Sequence, residues 1–434
     1  MEFLELFEKD LQPTPDNIEK TLKEDSIGRN EEVYSFVKIL KTIKDTSCVI
    51  ALDGPWGSGK TFFIKQTQKI LEKQNIKKNI KFITIYYDSW ENDDEIDPIL
   101  SIIYEIVTKI DSSFKNLSDK SNKITSFLAP WINLATNSSL SALGIPGLFK
   151  FEKFLDIFKE DETLKDVKSN INLKESIRNF IDSITENDDA RLIFFIDELD
   201  RCKPSYSVKL LERIKHYFNN KNCTFVFSVD IVQLQSVLKQ YYGNDFDALR
   251  YLDRFFDFRM SLPEADINKY FQYIGLKDDA ATYNIISIAL IKKYNFTLRE
   301  ISRYNRMLKM AFDPYKERIY GFSEEKADSF CRNILTPIII GLKMHNTKMY
   351  FDFINGRNFE PLLEILVETG LVDRYLEKSS SENYRSRVGE IYNVLFVNQG
   401  YELIEGMRFY KSSRNKLLKL TNFLSKISPI IEQK

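Results

Sequence analysis

Cysteine and histidine are scarce in this sequence of 434 residues, which has four of the former and two of the latter. The cysteines show no close paired spacing; they are Cys48, Cys202, Cys223 and Cys331. A structural zinc site or a disulfide framework needs such residues in close, paired positions. We therefore expect neither. The first ten residues, "MEFLELFEKD", lack the basic-then-apolar order of a secretory signal, so we expect the chain in a reducing cytoplasm.

An excess of charge of either sign is also missing. Lysine and arginine total 62 against 63 aspartate and glutamate residues, for a net charge of −1. This balance gives no general attraction to nucleic acid, so we do not expect nucleic acid as a strong direct ligand. The hydrophobic content of 43% is that of a globular protein, and the length predicts two or three domains.

One uncharged segment is long enough to span a bilayer. Residues 124–149 contain 26 residues without a charge. Amides and hydroxyls lie at its middle, where burial in hydrocarbon is costly. We predict a buried or surface-packed insertion, with membrane association as the alternative.

Glycine is scarce as well, with 15 in the chain, yet three glycines fall within six positions of "ALDGPWGSGKTFFIK" (51–65). The apolar run before them indicates a buried strand, and the spacing after them indicates a helix. The pattern of a glycine, four residues and then Gly-Lys-Thr is that of a phosphate-binding loop. We assign nucleotide binding to Gly54, Pro55, Trp56, Gly57, Ser58, Gly59, Lys60, Thr61 and Phe62.

The chemistry of phosphate binding explains this spacing. Glycines let backbone N–H groups turn inward around a phosphate, and the start of a helix adds positive potential. In such loops the lysine, here Lys60, reaches the β- and γ-phosphate oxygens, and the hydroxyl, here Thr61, binds Mg²⁺.

A second motif, "LIFFIDELD" (192–200), has five apolar residues followed by Asp197 and Glu198. At the end of a strand beside a phosphate loop, Asp197 is expected to hold Mg²⁺ through water. Glu198 is expected to orient or deprotonate the attacking water. The strand "FVFSVD" (225–230) ends in Ser228 and Asp230, either a sensor of the γ-phosphate or part of an ordinary turn.

The pattern along the chain predicts an α/β fold with a parallel sheet and helices on both faces, followed by an all-helical region. The predicted strands are 47–53, 80–87, 192–196, 224–229 and 255–262. Their order in the sheet does not follow from the sequence. The predicted domains are a core at 1–265 with an insertion at about 120–190, a helical lid at 266–376 and, after a break near 377–387, a helical segment at 377–434.

Six ordered segments resemble the KAP family of P-loop NTPases. They cover roughly residues 25–310 and are "GPWGSGKT", "IYYDSWEND" (85–93), "FIDELDRCKP" (195–204), "FSVDIVQL" (227–234), "YLDRFFDF" (251–258) and "LREISRYNRML" (298–308). The resemblance implies an additional-strand core, similar to AAA+ and STAND proteins, with a helical lid, and ATP with Mg²⁺ as cofactors. It also implies a membrane-spanning insertion in many members, and a bacterial setting with a role in antiviral (anti-phage) defence.

The resemblance also implies roles for basic residues. Arg254 is similar to an arginine that approaches the γ-phosphate of a neighbouring subunit, with a structural pair to Asp253 or Asp257 as the alternative. Arg299 and Arg303 look like lid arginines that touch the nucleotide.

Other positions are assigned in the same way. Gly28 and Arg29 are similar to a segment that packs beside the adenine, with a helix-entry turn as the alternative. Asp200 and Arg201 are expected to pair behind Glu198, with a surface ion pair of little energy as the alternative. Trp90 is expected to be buried in the core.

The sequence thus predicts a Mg²⁺-dependent ATPase that couples its nucleotide state to a conformational change or to partner assembly. We expect a homo-oligomer or a partner effector protein. The alternative is an ATP-gated switch or scaffold that hydrolyses ATP slowly or not at all and recruits a partner protein.

Overall fold

The computed structural model describes most of the chain outside the predicted insertion. The described residues are 13–43, 46–75, 82–94, 98–113, 175, 177–179, 181–182, 185, 190–218, 220–276, 281–316, 326–375, 381–397, 403–404, 407–408, 417 and 421. The segment 124–149 lies outside them. Within the described part of the chain, no helix is both long and apolar enough to cross a membrane.

The described chain forms two compact units. An α/β unit comprises Arg29–Trp56 and Lys60–Glu264. A helical unit comprises the described parts of Met1–Gly28, Gly57–Gly59 and Ala265–Lys434.

Five parallel strands form the sheet of the α/β unit, in the order β2-β3-β4-β1-β5. The strands are β1 (Cys48–Asp53), β2 (Phe82–Asp88), β3 (Arg191–Asp197), β4 (Cys223–Val229) and β5 (Phe258–Ser261). β4 lies between β1, which leads into the glycine-rich loop, and β3, which ends in Asp197. This is the additional-strand arrangement, so the expected fold class is confirmed.

Every residue of β3 and β4 is buried, as expected for the central strands of a parallel sheet covered on both faces. The predicted fifth strand, 255–262, begins three residues before the observed β5. Phe255 and Phe256 both donate backbone hydrogen bonds to Leu252, so they form a turn rather than a strand.

One described helix of this unit precedes β1, and the others follow the strands. They are α2 (Asn30–Thr42), α3 (Lys60–Asn75), α4 (Pro98–Ser113), α5 (Pro204–Tyr217), α6 (Ile231–Tyr242) and α7 (Ala248–Leu252), with a 3₁₀ turn at Leu199–Arg201. α5 begins with Pro204, which has no N–H to leave unpaired in the first turn.

The helical unit begins with α1 (Pro15–Glu24) and continues after β5. Its other elements are α8 (Ile267–Ile274), α9 (Thr282–Lys293), α10 (Leu298–Lys316), α11 (Lys326–Phe330), a π-helical turn (Cys331–Leu335), α12 (Thr336–His345), α13 (Thr347–Ile354), α14 (Glu360–Glu368), α15 (Val372–Tyr375), α16 (Ser381–Phe396) and the strands β6 (Leu403–Ile404) and β7 (Met407–Arg408). α16 begins inside the stretch 377–387 in which a break was expected.

A stacked pair of phenylalanines joins the two central strands. Phe194 of β3 lies opposite Phe225 of β4, with ring centroids 4.4 Å apart and an interplanar angle of 5°. Phe218 meets both rings edge-on, at 5.9 and 5.7 Å. All three side chains are buried, so this cluster fixes how α5 and the strands pack.

Truncation of this cluster tests its contribution to stability. We expect Phe194→Ala to lower the free energy of unfolding by about 3–5 kcal/mol, because it removes a buried ring and leaves a cavity. The control is Phe258→Ala, at a ring that is 61% exposed, for which we expect a change of about 0.5 kcal/mol. Urea denaturation followed by circular dichroism measures both. Equal losses in the two variants would contradict this assignment.

Candidate active site

The glycine-rich loop joins the end of β1 to the start of α3, which begins at Lys60. The Gly54 N–H donates to the Val229 carbonyl at 3.1 Å, so the loop is anchored to the neighbouring strand β4. Gly59 has φ +94°, a conformation that L side chains rarely adopt. Glycine is needed at this position because it adopts a positive φ without a steric clash.

The ammonium group of Lys60 lies against the loop itself. Its Nζ donates to the carbonyls of Gly54 at 2.5 Å and Pro55 at 3.3 Å. Burial lowers the pKa of Lys60, while the carboxylates of Asp200, Asp230 and Asp197 act in the opposite direction. The loop thus contains a buried cation surrounded by acidic side chains.

Thr61, at the start of α3, contacts Asp197, at the end of β3. The strand that leads into the loop, β1, is not a neighbour of β3 in the sheet. Thr61 Oγ1 donates to Asp197 Oδ2 at 2.7 Å, and Tyr86 Oη donates to the same oxygen at 3.1 Å. A hydroxyl and a carboxylate oxygen at this spacing are the hard ligands that Mg²⁺ prefers. The described residues contain no cluster of three or more acidic, histidine or cysteine side chains for a metal. The oxygen donors of Thr61 and Asp197 fit Mg²⁺, which takes one or two protein ligands beside substrate phosphates.

Glu198 follows directly after β3 in a strained conformation. Its φ and ψ are 60° and 23°, in the left-handed region that few residues other than glycine adopt. Its Oε2 forms an ion pair of 2.8 Å with Nη1 of Arg201.

Two expectations about neighbouring residues were wrong. Asp200, which is buried, accepts a hydrogen bond from the indole nitrogen of Trp56, so Trp56 and not Arg201 is its partner. Burial raises the pKa of Asp200, while the hydrogen bond from Trp56 and the charge of Lys60 oppose that rise. Trp90 is 54% exposed and does not belong to the core.

Ser228 and Asp230, the two polar residues at the end of β4, differ in their hydrogen bonds. Ser228 lies opposite Asp197 in the pairing of β4 with β3. Its buried hydroxyl has no hydrogen-bond partner within the described part of the protein, so it remains available to a ligand. Asp230 Oδ1 accepts from the N–H groups of Val232 and Gln233, at 3.0 and 3.2 Å, and caps α6.

Arg254 lies far from this chain's own loop. It is exposed in the turn before β5, where the Asp257 N–H donates to the Val49 carbonyl near the amino-terminal end of β1. The loop follows the carboxyl-terminal end of β1, which has six residues. At about 3.3 Å per residue, the five steps from Cys48 to Asp53 place the two ends about 17 Å apart. The carboxylate of Asp257, a suggested partner of Arg254, accepts from the Val49 N–H at 2.8 Å.

Arg29 stands at the entry to α2, immediately before Asn30. It is buried, and burial lowers its pKa to about 10, with Glu32 opposing the change. Gly28, in the helical unit, has φ +68°, and an added Cβ would lie 2.5 Å from the Cβ of Asp266 in the same unit. Only glycine fits this close approach.

Arg299 stands in the first turn of α10. Thr297 and Glu300 cap the start of this helix through reciprocal hydrogen bonds of 2.8 to 3.4 Å. Gly57, which groups with the helical unit, accepts a hydrogen bond from the Arg299 N–H at 3.3 Å. Arg303 lies one turn further along the same helix.

The sequence did not identify Tyr86 as a site residue. Tyr86 lies on β2, which is adjacent to β3 in the sheet. Because the order of the strands was unknown, nothing in the pattern of β2 indicated that this hydroxyl reaches Asp197.

Comparison with models of known protein families identifies the family of this chain. The model of the KAP family P-loop domain matches residues 29–311, well over half of the chain. A search of curated proteins finds no match.

Several solved structures show distant similarity. The Aeropyrum pernix ORC2 protein, in its ADPNP–ADP complexes, is 15% identical, with a TM-score of 0.36 over 91% of this chain and 86% of that chain. The Aeropyrum pernix ORC1 protein in complex with DNA is 10% identical, with a TM-score of 0.34 over 92% and 94%. C. elegans PCH-2 is 13% identical, with a TM-score of 0.26 over 68% and 64%. At these scores the similarities carry no argument about the site, and the family model decides the assignment: the chain belongs to the KAP family of P-loop NTPases.

Proposed function

We propose that this P-loop NTPase binds ATP with Mg²⁺ and hydrolyses it. The observation that carries the proposal is the 2.7 Å contact between Thr61 and Asp197. It joins the start of the helix after the phosphate loop to the end of β3, where Glu198 follows. This contact supports the proposal because it brings the proposed metal ligands, Thr61 and Asp197, together beside the phosphate loop and Glu198.

The side chains act by position and charge. Lys60 and the loop N–H groups bind the phosphates, and Glu198 orients or deprotonates the attacking water. Thr61 and Asp197 would hold Mg²⁺, which would neutralise phosphate charge when bound. Ser228 is the proposed sensor of the γ-phosphate, because its buried hydroxyl has no partner within the described residues. Arg29 and Arg299 are proposed to touch the nucleotide.

Arg254 is proposed to act on a neighbouring subunit. Its distance from this chain's own loop argues against a role in the same subunit, and its exposure leaves it accessible to a second copy. The protein would then work as a homo-oligomer, in which the nucleotide state drives a conformational change or the assembly of a partner effector. A role in bacterial anti-phage defence is part of this proposal and rests on the family resemblance.

The second candidate is an ATP-gated switch that hydrolyses ATP slowly or not at all. The ion pair between Glu198 and Arg201 favours it, because a carboxylate bound to a guanidinium is a poorer base for water.

ATP turnover with Mg²⁺ tests the main proposal. We expect Lys60→Ala and Glu198→Gln each to lower turnover by about 10²-fold or more, since each removes a group that stabilises or initiates the reaction. Nucleotide binding should be lost in the first variant and kept in the second. The controls are Lys239→Ala and Glu264→Gln, at exposed positions of the α/β unit. Tight binding by the wild type without turnover would favour the switch, and absence of binding would contradict the loop assignment.

The proposed metal site predicts a role for Tyr86. We expect Tyr86→Phe to raise the Mg²⁺ concentration for half-maximal turnover by about tenfold, because it removes a hydrogen bond that orients Asp197. A Mg²⁺ titration at fixed ATP measures this. Tyr87→Phe is the matched control on the same strand, since the hydroxyl of Tyr87 contacts that of Tyr206 instead. The same shift in both variants would contradict this role.

Mixing experiments test Arg254. We expect Arg254→Ala to lose about 10³-fold in turnover and to regain activity when mixed with Lys60→Ala. In mixed assemblies an intact loop from one subunit meets an intact arginine from the other. Arg250→Ala, at an exposed position of α7, is the control. Wild-type turnover by Arg254→Ala would refute the assignment.

A further inference from the structure

Two exposed tryptophans of the α/β unit lie against the same arginine. Trp56 is 42% exposed and Trp90 is 54% exposed, unusual values for so large an apolar ring. The guanidinium carbon of Arg201 lies 5.5 Å from the ring centroid of Trp56 and 5.7 Å from that of Trp90. Cations within about 6 Å of an indole centroid are attracted by the ring.

The two rings come from separate turns that are both held in place. Trp56 belongs to the phosphate loop, and its indole nitrogen donates to the buried carboxylate of Asp200. Trp90 follows β2, where its N–H donates to Asp88 Oδ1 at 3.0 Å. The preceding residue, Ser89, donates its N–H to the carbonyl of Asp197 at 3.0 Å. The turns that carry Trp56 and Trp90 are therefore both hydrogen-bonded to residues at or just after the end of β3.

Arg201 connects these rings to Glu198. The ion pair of 2.8 Å is largely removed from solvent, since the two side chains are 21% and 17% exposed. Glu198 has a strained backbone, and such conformations persist where the surrounding structure holds them. A planar guanidinium can bond to a carboxylate at its edge and pack against rings at its face, which the ammonium of lysine cannot do.

We propose that Arg201 is a positioning residue: held by Trp56 and Trp90, it sets the place of the Glu198 carboxylate relative to the phosphate loop. This inference rests on the proposed function, in which Glu198 acts on water. It assigns a role to the tryptophan inside the loop, which phosphate binding by itself does not require.

Kinetics of Arg201 variants provide the test. We expect Arg201→Met to lower kcat by about tenfold or more, because a misplaced catalytic group slows the reaction, with the KM for ATP changed by no more than about twofold. Arg201→Lys should recover only part of this loss, and Trp90→Ala should cause a smaller one. Arg213→Met is the matched control, since Arg213 lies 5.5 Å from the ring of Tyr217, away from the loop. It should turn over ATP like the wild type.

Two further readouts separate positioning from a structural role. In a Trp131→Phe background, where Trp56 and Trp90 are the remaining tryptophans, Arg201→Met should change tryptophan emission without nucleotide, with circular dichroism unchanged. In a Glu198→Gln background, Arg201→Met should cause no further loss of kcat, because residues that act as a unit are not additive.

Three results would contradict the inference, and each has a different meaning. An unchanged or increased kcat in Arg201→Met would overturn the inference, and an increase would mean that the ion pair restrains Glu198. A KM raised more than about tenfold would also overturn it, by showing that Arg201 binds the nucleotide directly. Absence of turnover in the wild type would refute the proposed hydrolysis itself, and this inference with it.

Discussion

The hydrogen bond from Thr61 to Asp197 is the contact on which the site depends. It spans β4, because the strand before the phosphate loop and the strand that ends in Asp197 are not neighbours in the sheet. The contact therefore depends on β1 and β3, which lie on either side of β4, ending at the same edge of the sheet. The stacked rings of Phe194 and Phe225 hold β3 and β4 in register, and the Gly54 N–H ties the loop to the end of β4.

The parts of this site that the sequence predicted are those encoded in consecutive residues. The loop, its lysine and the acidic pair after β3 each form one short motif, and four strands were located to within two residues of the observed limits. The contact that the sequence did not reveal joins residues distant along the chain. The order of the strands was not predictable, so the contact of Tyr86 with Asp197 was not either.

The error over Arg201 has a local physical cause. Asp200 and Arg201 are adjacent, and adjacent residues in a helical turn do not face each other, whereas residues three apart do. The spacing between Glu198 and Arg201 is three, and their ion pair follows from the 3₁₀ turn that begins after Glu198. Trp90 was expected in the core because it is large and apolar. One arginine provides it with a partner at the surface instead.

Charge around the loop bears on the proposed use of Mg²⁺. Burial lowers the pKa of Lys60, the carboxylates of Asp200, Asp230 and Asp197 raise it, and the charge of Arg201 lowers it. Arg201 is already paired with Glu198. A nucleoside triphosphate entering this site would meet these carboxylates, which repel its phosphates, as well as Lys60 and the loop N–H groups, which attract them. A divalent cation held by Thr61 and Asp197 changes that balance where the phosphates bind. The acidic surroundings of Lys60 therefore support the proposal that the site binds the nucleotide together with Mg²⁺.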